Sequence, residues 1–132
     1  CLVGSEMCIR DRSGIGKLSA YCGVVSAGVV SVAGIAFLKG DSKDIIENTL
    51  VNGLASLSGI VCDGAKPSCA GKIAISLDGA FMGYKQARLN KNYQKGDGLV
   101  AYSVDETIRS IGAVAQGMKE TDVVILNEML KH

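Results

Sequence analysis

Between residues 18 and 38 the chain runs for 21 positions without a charge, LSAYCGVVSAGVVSVAGIAFL. A run of that length either spans a bilayer as a helix or lies as a helix buried on all sides in a protein interior. Gly23, Ala27 and Ser31 fall at the spacing of tightly packed membrane helices. Ser19, Ser26 and Ser31 dilute the hydrophobicity, and no second run of this kind follows. Lys39-Gly40 then closes the run with a cation followed by glycine, a common helix ending.

Helical patterning continues beyond it. A second helix is expected from Asp41 or Ser42, with Asp41 able to cap and Asp44 and Glu47 placing negative charge in the early turns. Its apolar stripe is Ile45, Ile46, Leu50, Leu54, Leu57 and Val61. A break follows at residues 62–69, where Gly64 permits an unusual φ and Pro67 suits a helix's first turn. A third helix is expected over 68–89, carrying Ile73, Leu77, Ala80, Phe81 and Tyr84, and 90–98 reads as a polar loop. Ser103-Val104-Asp105-Glu106 is a capping box for a fourth helix running toward Gly117. A last short helix is expected from Thr121-Asp122 through Leu130, with Val123-Val124-Ile125-Leu126 the best rival for a strand. The expected class is all-α, with buried small-residue helices.

Composition narrows function. With 48% hydrophobic and 20% charged residues the chain is not disordered. A net charge of +1 argues against a nucleic-acid binder, which would carry a basic face. Five cysteines cannot all pair within one chain. The opening CLVGSEMCIRDR, residues 1–12, resembles translated sequencing-adaptor read-through, which would empty Cys1 and Cys8 of meaning. The expected organisation is therefore a non-native tail at 1–12 and one helical domain at 13–132, truncated at its N-terminus.

Three cysteines remain: Cys22, and then Cys62 and Cys69, which flank the break seven residues apart. A Cys62–Cys69 disulfide is geometrically open, but nothing indicates an oxidising compartment. Zinc would want a fourth ligand and closer spacing, and His132 at the terminus is the chain's one histidine. Three thiolates suit an iron–sulfur cluster with one iron left open, a Lewis acid. Three unrelated buried thiols would give the same residues.

The run Ile60-Val61-Cys62-Asp63-Gly64-Ala65-Lys66-Pro67-Ser68-Cys69-Ala70, with Lys72-Ile73 after it, resembles the ICDGAKPxCAxKI signature of the L-cysteine desulfidases. These belong to the iron–sulfur-dependent L-serine dehydratase alpha-chain superfamily. Ser19-Ala20-Tyr21-Cys22-Gly23 looks like the family's SAxCG segment. Asp105-Glu106-Thr107-Ile108-Arg109, Gly112 and Gly117-Met118-Lys119-Glu120-Thr121-Asp122 resemble its C-terminal pattern. The resemblance runs collinearly over about residues 13–131. The seven-residue step from Cys62 to Cys69 is similar to the desulfidase branch, since serine dehydratases proper use a longer interval.

The resemblance implies a helical fold, a [4Fe-4S] cluster on Cys22, Cys62 and Cys69, and a cytoplasmic enzyme with no membrane span and no nucleic-acid partner. It implies β-elimination from L-cysteine, or L-serine, to pyruvate and ammonia, with sulfide released from cysteine and no pyridoxal phosphate. It places a further functional cysteine and most substrate-holding groups in an absent N-terminal portion, and leaves homo-oligomerisation open. The general base is not identified. Asp63, Gly64 and Lys66 are candidates for supporting contacts around the cluster, or are ordinary turn residues with Asp63 capping the next segment. If the chain alone turned over substrate, Lys66, Asp63 and Lys72 would be the first residues to mutate. A non-catalytic helical domain that keeps its cysteines for structure or metal sensing is the competing class. Apolar surface for docking the absent portion is expected on the helices at 18–38 and 41–61.

Overall fold

A computed structural model describes residues 19–131. The expectations for residues 1–12, and for His132, fall outside the described residues. The fold is all-α, as expected: α1 (Gly23–Leu38), α2 (Lys43–Leu57), α3 (Pro67–Arg88), α4 (Val104–Gly117) and α5 (Lys119–Met129). The expected strand rival at 123–126 is helical and lies within α5.

The first three helices pack on one another, α4 lies against α2, and α5 touches α4 alone among the helices. The core is aliphatic: Val25, Val29, Val32, Leu50, Leu54, Leu57, Ala80 and Ile111 are buried together. Glycine sets how closely the helices approach. A Cβ on Gly83 of α3 would lie 2.8 Å from the backbone nitrogen of Gly53 in α2, so the two backbones touch there.

Close approach also explains where the expected stripes fail. On α3 the faces of Ile73 and Phe81 are 46% and 44% exposed. Ala80 and Tyr84 of the expected stripe are buried, and the buried row is completed by Ser76, Gly83 and Ala87, small residues where α1 and α2 approach closely. The helix at 18–38 is likewise not buried on all sides. Gly23, Ala27 and Ser31 face solvent, and Phe37 and Leu38 are 57% and 83% exposed. The contact between α1 and α3 is made by Gly28, whose Cβ would meet that of Ser76 at 3.1 Å. Among the described residues no helix is long and apolar enough to cross a membrane.

Helix ends follow local chemistry. Ser42 caps α2 by accepting from the Ile45 amide at 3.4 Å. Asp41 does not cap. Its carboxylate accepts from the Tyr84 hydroxyl at 2.5 Å and sits 3.8 Å from the Arg88 guanidinium, tying α2's entry to the end of α3. Ser103 caps α4 through the Glu106 amide at 3.2 Å. The Glu106 carboxylate reaches back to the Tyr102 amide at 3.1 Å, one residue earlier than a standard capping box.

Candidate functional site

The helix that reads as starting near Leu18 starts at Gly23, and the difference builds the site. Residues 19–22 run extended because their amides find partners across the fold rather than within a helix. Ala20 N–H donates to the Met118 carbonyl at 3.4 Å, Cys22 N–H to Ile60 at 3.2 Å, and Cys62 N–H to Ala20 at 2.6 Å. Ser19 Oγ donates to the Ala115 carbonyl at 2.7 Å. The result is one antiparallel bridge between Tyr21 and Val61. In such a pairing Cys22 lies opposite Ile60 and Cys62 opposite Ala20, so the two cysteines are diagonal neighbours on one side of the bridge. Forty residues of sequence separation are closed by two hydrogen bonds.

Cys22 is the N-cap residue of α1 and is 3% exposed. Burial pushes its thiol pKa up, while the Val24 amide directed at the sulfur opposes the shift. Negative charge on Cys62 or Cys69 pushes the Cys22 thiol further up, and the Lys72 ammonium opposes that shift. Cys69 sits in the first turn of α3, where its amide donates to the Lys66 carbonyl at 2.8 Å. Pro67 opens that helix, as its fixed φ predicts. All three cysteines are free thiols, so the Cys62–Cys69 disulfide is not formed.

The three supporting candidates have different roles. Asp63 does not cap α3. Its carboxylate accepts from Lys72 Nζ, and this hydrogen bond holds Asp63 below the usual carboxylate range and Lys72 above the usual lysine range. Gly64 turns the chain at φ 89°, a left-handed value suited to glycine. Lys66 is exposed at the N-cap of α3 with no side-chain cap. Sequence reasoning named Lys72 only as a residue to mutate. Its signal was its place three residues after Cys69, on the same face of the helix. Asn52 was missed altogether. It is fully buried, donates to the Gly83 carbonyl and to Asn92, and accepts from the Tyr93 amide, so it anchors the 90–98 loop.

Among the described residues no three His, Cys, Asp or Glu side chains close on a point as a lone metal ion would require. A cluster asks for less convergence, because each thiolate binds a different iron. The donor set fits such a group: three free thiols, on the extended segment, in the loop before α3 and in the first turn of α3, with the half-buried Lys72 nearby to offset negative charge.

Cys22 and Cys62 thus lie on the extended pairing, and Cys69 and Lys72 in the first turns of α3. The chain belongs to the serine dehydratase alpha chain family, whose profile matches residues 2–127. It is 49% identical to a UPF0597 protein of Finegoldia magna, over 98% of this chain and 31% of the relative. A UPF0597 protein of Desulfitobacterium hafniense is 49% identical over 98% of this chain and 30% of its own length. One from Treponema denticola is 47% identical over 99% and 31%. The chain thus spans under a third of the length of these relatives, whose names state no activity. No solved structure matches significantly.

Proposed function

We propose that this chain is the cluster-holding part of a lyase that eliminates sulfide from L-cysteine, leaving pyruvate and ammonia. The observation that supports the reading is the Tyr21–Val61 pairing, which brings the Cys22 segment against the Cys62 segment, with Cys69 seven residues further on in the first turn of α3. In this reading their thiolates hold a [4Fe-4S] cluster. When bound, such a cluster with one iron free of protein ligands supplies a Lewis acid for the departing atom. The chain's own residues do the holding. In this reading Cys22 holds from a buried N-cap, Cys69 from the first turn of α3, and Cys62 from the loop between α2 and α3. Burial of Cys22 disfavours its thiolate, so the nearby Lys72 charge offsets part of the cost of loading. The base and the groups that orient the substrate belong to the larger protein.

L-serine is the second substrate to test, because the family's name points to it. The seven-residue step between Cys62 and Cys69 supports cysteine. Anaerobic reconstitution with iron and sulfide should give a broad visible absorbance that Cys62→Ala removes. A full-length relative carrying this segment should then release sulfide from L-cysteine faster than pyruvate from L-serine. Absence of iron uptake by the unaltered chain overturns the cofactor reading, and the reverse substrate preference overturns the choice of cysteine.

A further inference from the structure

The Lys72 side chain does more than lend charge. Its ammonium donates to the Val61 carbonyl at 2.9 Å and to the Asp63 carboxylate. Those are the residues immediately before and after Cys62. Lys72 stands on α3 three positions after Cys69, so one side chain links the helix that carries Cys69 to both flanks of Cys62. Cys62 is joined in turn to the Cys22 segment through its amide.

Two hydrogen bonds to the Cys22 segment and packing of Ile60 and Cys62 on the core hold the start of this stretch, and Lys72 adds a grip beyond them. The Tyr21–Val61 bridge is a single pairing, not a ladder. Beyond it the chain passes through Gly64, exposed and at positive φ, with Met129 of α5 near it: the methionine's terminal methyl lies 3.8 Å from where a Cβ would stand. An ammonium has three donors and can serve a carbonyl and a carboxylate together, which a neutral side chain of the same length cannot do. The Lys72 side chain is 20% exposed and that of Asp63 39%, so the Asp63 bond is open to water on one side.

We propose that Lys72 is a positioning residue, which clamps the peptide on both sides of Cys62 and so holds that thiol in register with Cys22 and Cys69. The inference deepens the cluster reading and rests on it for its purpose, but the clamp can be measured without any cluster.

In the apo chain, dibromobimane joins two thiols only when they lie close together, and mass mapping identifies the Cys22–Cys62 linked peptides. Lys72→Met should slow that linkage about tenfold, the factor expected when a charge-assisted hydrogen bond is lost. Far-ultraviolet circular dichroism should show the helices intact. Lys72→Arg should restore most of the rate, since a guanidinium also serves two acceptors. Should Lys72→Met lose helix, Asp63→Asn removes one grip only and should still slow linkage about threefold. In reconstituted protein, Lys72→Met should bleach its visible absorbance faster in air than the unaltered chain. Linkage at the unaltered rate in Lys72→Met or, if that variant unfolds, in Asp63→Asn overturns the clamp. An unaltered chain that takes up no iron, while Lys72→Met still slows linkage, overturns the cofactor reading and leaves the clamp standing.

Discussion

Among the three thiols, burial separates Cys22 from the other two. It is 3% exposed, whereas Cys62 and Cys69 are half-buried. The thiolate is the reacting form, and burial raises the Cys22 pKa. Iodoacetamide at neutral pH, followed by mass mapping, should therefore modify Cys22 last in the apo chain. Its rate should climb only as pH passes above the ordinary thiol value of about 8.5. Glycine is the other decisive residue type. Gly83→Ala would drive a methyl to 2.8 Å from the Gly53 backbone, and backbone cannot swing aside as a side chain can. Urea unfolding should show a loss of about 1–3 kcal/mol, the usual cost of overpacking. Gly112→Ala meets nothing within 4 Å and should cost little.

At the level of elements, each helix depends on how its ends are tied. Ser103→Ala removes the side-chain oxygen that satisfies the Glu106 amide at the start of α4. A loss of about 1 kcal/mol is expected in thermal or urea unfolding. α4 supplies Ile111 and Ala115 to the core and receives Ser19 at the Ala115 carbonyl, so fraying it also loosens the Cys22 segment. Asn52 does for the 90–98 loop what caps do for helices. Asn52→Leu strands the Tyr93 amide and takes a second donor from the Gly83 carbonyl, which keeps its helical partner, and should cost about 1–3 kcal/mol for the amide left unpaired. Amide exchange confined to residues 92–94 would show the loop released.

For the molecule as a whole, exposed apolar surface lies elsewhere than expected. It was expected on the helices at 18–38 and 41–61, and Phe37 and Leu38 do contribute. Most of it is on α3 and α5: Ile73, Ile75, Phe81 and Met82 on the first, Val123, Val124 and Leu126 on the second. α5 buries none of its side chains fully. Dye binding by anilinonaphthalene sulfonate should be strong in the chain and should drop clearly in an Ile75→Glu, Phe81→Glu variant. The chain by itself is expected not to release sulfide from L-cysteine even when loaded, because elimination also needs substrate held against a base. Sustained turnover by the chain alone would place the base here.

Helix number and approximate limits were legible in the residues, because they rest on local chemistry. Pro67 at a helix start, Ser103 three before Glu106 and the apolar spacing of α2 act within a few residues of themselves. The motifs around Cys22 and Cys62 mark two segments that the Tyr21–Val61 pairing brings together. What sequence could not decide is which side of each helix turns inward. Of the stripe expected on α3, Ala80 and Tyr84 turn inward and Leu77 packs on the core, but close contact at Gly83 and Ser76 leaves Ile73 and Phe81 outside. Nor could it decide that 19–22 abandons the helix. That short segment is extended only because the carbonyls of Met118 and Ile60, far along the chain, accept its amides. Local propensity sees neither partner. The amino-acid order determined an all-α chain, and tertiary hydrogen bonding alone decided that the Cys22 and Cys62 segments pair, with Lys72 gripping the loop between α2 and α3.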